Sequence, residues 1–119
     1  MTPEARDPAH LWDMQEAART ILQYTDGFSL DAYLKDGKTR SAVERQLEIL
    51  GEAARRVSET FKQAHPKIPW QRIIAQRNVL AHEYGAIEHF IIWNLVITHI
   101  PALIAAIEPL MPPLPPETP

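Results

Sequence analysis

Cysteine is absent from the 119 residues, which rules out disulfides and thiolate metal sites. A positive net charge is absent as well. Twelve Lys and Arg stand against fifteen Asp and Glu, for a formal charge of −3. Such a chain has no broad basic face for coating nucleic acid, although a small local phosphate site stays open. The first ten residues contain Pro, Glu, Arg and Asp but no apolar run of the signal-peptide kind; a cytoplasmic protein is the expectation. No segment alternates apolar and polar residues as a half-buried strand does, and no internal repeat is visible.

What is present is helical periodicity. The length suits one domain with one core, and hydrophobic residues make up an ordinary 45%. Pro8 to Tyr24 reads as a first helix, with Asp7 as its N-cap and Asp26-Gly27 as its stop. Ser29 is placed to cap a short turn ending at Asp36-Gly37, or the segment is a structured loop. Lys38 to Ala64 reads as one long helix, because Val43, Leu47, Leu50, Ala54, Val57 and Phe61 recur at helical spacing. His65-Pro66-Lys67-Ile68-Pro69 is a rigid connector, and Trp70 to Tyr84 a further helix closed by Gly85.

Glu88 to Leu110 reads as the last helix and is apolar almost all round. Asn94, Thr98, His99 and Pro101 interrupt the run and Glu88, His89 and Glu108 bound it, which favours a bundle helix over a membrane span. A helix without a polar face must be covered on all sides, so it is either central or a dimer contact. Pro101 removes an internal hydrogen bond and should kink it near Ile97. His89 and His99 are ten residues apart, not at metal-ligand spacing, and read as packing or interface residues; no metal site and no cofactor are expected. The fold class is therefore all-α: an up-and-down bundle of four to five helices spanning residues 1–110. Residues 111–119 form a proline-rich, disordered tail.

One stretch stands out, Gln76-Arg77-Asn78-Val79-Leu80-Ala81-His82-Glu83-Tyr84. At about 100° per residue, Trp70, Ile73, Ile74, Leu80, Ala81 and Tyr84 form one apolar stripe. Arg77 lies near its middle, and Asn78 and His82 stack one turn apart on its edge. Burying that guanidinium unpaired would cost roughly several kcal/mol, so an anion should meet it. The anion could be Glu48 or Glu52 of the long helix, making Arg77 structural. It could equally be a phosphate, for which the planar guanidinium is suited. His82 titrates near neutral pH and could exchange a proton with an RNA 2′-hydroxyl, or merely stabilise its helix terminus. Tyr84 could be a core aromatic with its hydroxyl at the rim.

Arg77 to Tyr84 fits the R-x(4)-H-x-Y motif, and on these residues the chain resembles the HepT-like toxins of the HEPN superfamily. Gly51-Glu52-Ala53, Ile68-Pro69-Trp70 and the apolar last helix with Pro101 fit the same pattern. The resemblance spans the first helix to Leu110. It implies an all-α homodimer that cleaves RNA without metal, with Arg77 and His82 as the catalytic pair and Asn78 in support. It also implies a toxin whose partner is an MntA-type nucleotidyltransferase antitoxin, acting by AMP transfer to Tyr84. Every motif position is intact. Two other functions compete: a non-catalytic, substrate-binding partner of a nucleotidyltransferase, and a purely structural dimerisation bundle.

Overall fold

In a computed structural model, the chain is described over residues 2–82 and 88–112, apart from the side chains of residues 77–82. All regular structure among the described residues is helical. After a 3₁₀ turn at Pro3–Arg6 come α1 (Asp7–Thr25), α2 (Leu30–Lys35), α3 (Gly37–Arg56), α4 (Glu59–Ala64) and α5 (Trp70–His82). A final rod joins α6 (His89–Asn94), a π-helical turn (Leu95–His99), α7 (Ile100–Ile107) and a 3₁₀ turn (Glu108–Leu110). The long elements α1, α3, α5 and the final rod make the expected all-α, HEPN-like bundle, with α2 and α4 as short connecting helices. Residues 83–87 and 113–119 lie outside the described residues, and with them Tyr84, the Gly85 cap and most of the proline-rich tail.

The core forms where α1 lies on α3. Leu11, Met14, Ala18 and Ile21 of α1 are buried with Val43, Leu47, Leu50 and Ala54 of α3. Ile100, Leu103 and Ile107 of α7 close the same core against α1. Gln15 ties the two together, its amide donating to the Ile104 carbonyl at 3.3 Å and to Glu108 at 2.7 Å. α5 packs on the other flank of α3. The turn after α1 needs its glycine, since Gly27 has a φ of +79°, a left-handed backbone that L side chains rarely adopt. Ser29 caps α2 as expected, accepting from Ala32 N–H at 3.1 Å. Asp36 caps α3 through Thr39 N–H at 3.0 Å, a bond that holds its carboxyl below the usual range.

Two sequence expectations fail for one reason. Asp7 is not the cap of α1 but its first helical residue, and its buried carboxylate reaches across the chain. It accepts from the Ser58 backbone N–H at 2.8 Å and from the Ser58 hydroxyl at 2.6 Å. The expected helix from Lys38 to Ala64 is broken there: Val57 and Ser58 are extended, and Ser58 caps α4 by accepting from Phe61 N–H at 3.1 Å. The apolar spacing hid the break because Val57 stays buried and Phe61 still packs on the core.

The final rod departs from expectation too. It is not central. Leu95, Val96, Ile100, Leu103 and Ile107 face the core, while Phe90, Ile91 and Ile97 are 56%, 55% and 55% exposed. Its 22 residues contain an 18-residue window of mean hydropathy 2.1, long and apolar enough by length and composition to cross a bilayer. Pro101 does not break it. Proline can neither donate to the Ile97 carbonyl nor sit against it, and the helix widens instead, Ile100 N–H bonding five residues back to the Leu95 carbonyl.

Replacing Asp7 with Ala should strand the Ser58 N–H and cost about 3 kcal/mol, since bonds to charged groups contribute roughly 1.5–3 kcal/mol each. Urea denaturation checks this; a loss under about 0.5 kcal/mol would show that the link is not structural.

Candidate active site

The rotation of α5 is set at its first turn. Trp70 follows Pro69, and both Trp70 and Ile73 are buried in the core beside α3. The Trp70 indole N–H donates to the His65 carbonyl at 3.0 Å. The Phe61 ring of α4 lies 4.4 Å from the His65 ring and meets Trp70 edge-on at 6.1 Å. With Trp70 and Ile73 turned inward, helical register puts position 77 one turn beyond Ile73 on the same line. The helix continues through His82. Arg77, Asn78 and His82 therefore belong to one unbroken helix, with Arg77 and His82 about 7.5 Å apart along the axis at 1.5 Å per residue. Tyr84 falls outside the described residues.

The carboxylates proposed as structural partners of Arg77 have other company. Glu48 meets Arg45 at 3.3 Å. Glu52 takes, among its contacts, Arg55 at 2.8 Å and Arg56 at 3.0 Å, and the hydrogen bonds from Arg55 hold its carboxyl down at about 2. Arg45, Glu48, Glu52 and Arg56 line a cavity of about 270 Å³ between α1 and α3, together with His10 and Asp13. Among the described residues no cluster of His, Asp and Glu could hold a metal ion.

The structure also gathers a polar cluster that the sequence did not reveal. Tyr33 of α2 is fully buried, its ring 5.1 Å from Trp93 and its hydroxyl without a partner. Burial, with Glu44 nearby, pushes its pKa up to about 12. Glu44 of α3 is half-buried; burial raises its carboxyl above the ordinary value, opposed by His89 and Arg40. His89, at the start of α6, has a buried Nδ1 with no partner. These residues come from three separate helices, and no local pattern announces them.

A family model described as ribonuclease HepT-like matches residues 14–110. The chain belongs to the ribonuclease HepT-like family. Among its relatives, a Methanocaldococcus jannaschii protein provisionally named as an RNase is 39% identical over 100 residues, covering 84% of this chain and 83% of the relative. A second such protein from that organism is 31% identical over 100 residues, covering 84% and 92%. A Thermococcus cleftensis protein named as a probable ribonuclease HepT is 37% identical over 101 residues, covering 85% and 92%. No solved structure matches. In this HepT-like chain, Arg77, Asn78 and His82 lie on the helix whose first turn Trp70 and Ile73 hold in the core.

A carboxyl whose folded-state pKa is raised carries a penalty at neutral pH that fades as pH falls into the carboxylate range. Glu44→Gln should therefore stabilise the protein at pH 7, with the gain shrinking toward pH 4. Thermal melts across that range read it; a gain that grows as the pH falls would contradict the burial argument.

Proposed function

We propose that this HepT-like chain is the toxin component of a toxin–antitoxin system, a metal-independent endoribonuclease acting as a homodimer in the cytoplasm. The observation that carries the reading is the placement of the motif positions 77, 78 and 82 on one continuous helix, oriented by Trp70 and Ile73, in a chain of this family.

His82 takes the proton of a ribose 2′-hydroxyl. The freed oxygen attacks the adjacent phosphorus, and the P–O5′ bond breaks. The leaving 5′-oxygen takes a proton from an acid, and the products are a 2′,3′-cyclic phosphate and a 5′-hydroxyl end. Arg77 faces the charge that builds on the non-bridging oxygens, and Asn78 orients the imidazole or bonds the phosphate. One helix supplies one imidazole, so a two-fold dimer would supply base and acid from two copies of His82. The exposed apolar face of the final rod, with Phe90, Ile91 and Ile97, is the surface offered for that contact. Residues 1–110 form the working domain. Regulation acts through Tyr84: AMP transferred there by an MntA-type nucleotidyltransferase antitoxin would place negative charge and bulk where the substrate phosphate must lie.

Purified protein should cut single-stranded RNA in excess chelator and leave cyclic phosphate ends. Arg77→Ala and His82→Ala should each lower the rate about 10²–10⁴-fold while the melting temperature and the dimer, read by sedimentation, persist. Cleavage that depends on magnesium, or nucleotide binding with no cleavage at all, would overturn the proposal.

A further inference from the structure

The described arginines are mostly engaged. Arg19, Arg45, Arg55 and Arg56 meet carboxylates, and Arg40 meets the carbonyls of Tyr33 and Leu34. Arg72 is different. It is exposed on α5, its Nη1 lies 3.2 Å from His99 Nδ1, and no carboxylate among the described residues pairs with it. Two basic side chains held together at a surface lack a counter-charge. The imidazole nitrogen can accept one guanidinium N–H, which leaves the rest of the planar fork open to solvent. His99, expected from the sequence to be a packing or interface residue, is exposed in this pair.

A second observation concerns how His99 arrives there. It ends the π-helical turn that Pro101 forces on the last rod. The α-helix resumes directly after His99, at Ile100. Such widened turns are often kept where a side chain must be aimed. Arg72 also lines a cavity of about 490 Å³ between α4 and the start of α5, together with Ile68, Pro69 and Ile74 and with Lys62 and Glu59, which pair with each other at 3.8 Å. With Lys62 neutralised by Glu59, Arg72 is the cation in this lining without a carboxylate partner, and the apolar side chains beside it fit a nucleotide base whose phosphate meets the guanidinium.

We propose that Arg72 and His99 form a subsite for a backbone phosphate of single-stranded RNA, flanking the scissile bond. The assignment rests on the ribonuclease reading of α5. Arg72 precedes Arg77 by five residues, about 7.5 Å of rise and a rotation of about 140°. The strand therefore crosses α5 obliquely, with one phosphate on Arg72 and another at the motif. In a chain of net charge −3, such a pair supplies local attraction that the overall charge does not.

The test is steady-state cleavage and anisotropy binding with a 20-nucleotide single-stranded RNA, for wild type, Arg72→Ala and Arg72→Lys. Arg72→Ala should raise KM about 5- to 20-fold with kcat retained, and the deficit should shrink on a dinucleotide. Loss of one phosphate contact should flatten the salt dependence of binding by about 0.7 in log–log slope. Arg72→Lys should recover part of both. A KM and salt slope unchanged in Arg72→Ala, or a fall in kcat alone, would overturn the subsite. If wild type binds RNA without cutting it, the ribonuclease reading fails, and the salt slope still decides the subsite. If it does neither, both fail.

Discussion

A buried carboxylate at the start of α1 holds the far end of α3, and the orientation of the motif helix descends from it. Asp7 binds the Ser58 N–H and hydroxyl, and Ser58 in turn caps α4. α4 presents Phe61 to His65 and Trp70, and Trp70 with Ile73 fixes which face of α5 turns inward. A helix held at its first turn has little rotational freedom further along. Helical register then carries position 77 along the line of Trp70 and Ile73, and the sequence expectation stands that a cation on such a line needs an anion. The proposed function supplies that anion as a substrate phosphate.

The charge distribution limits how RNA could be met. Arg19, Arg45, Arg55 and Arg56 are matched to carboxylates a turn away or on the neighbouring rod, and such pairs contribute little to stability at the surface. What they do is neutralise those faces. Attraction for a polyanion is then left to cations without a carboxylate partner, Arg72 on α5 among them. That restriction favours a small number of well-placed contacts over diffuse binding, in keeping with a chain of net negative charge.

Most of the helices were legible because their apolar residues recur at the right period and their caps are local. Ser29 and the Asp26-Gly27 stop needed no tertiary information. The break at Val57-Ser58 was illegible because Val57 and Phe61 keep the period across it. Asp7 was misread because a carboxylate before a helical run looks like a cap, whereas its partner lies 51 residues away. Pro101 was read as a kink, whereas the structure answers the missing N–H with a widened turn at Leu95–His99. The Tyr33, Glu44 and His89 cluster comes from three helices and has no sequence signature. Arg77, Asn78 and His82 were legible as a pattern, and the structure adds the packing that orients their helix.

The central claim is that the substrate's own 2′-oxygen performs the cleavage, with a guanidinium and an imidazole from α5 assisting. The most direct measurement uses an RNA whose cleavage position has been mapped, resynthesised with a single 2′-deoxy nucleotide on the 5′ side of that bond, and assayed in excess chelator. This mechanism predicts that the substituted bond alone survives while neighbouring sites are still cut. Cleavage at the substituted position, leaving a 5′-phosphate, would contradict it.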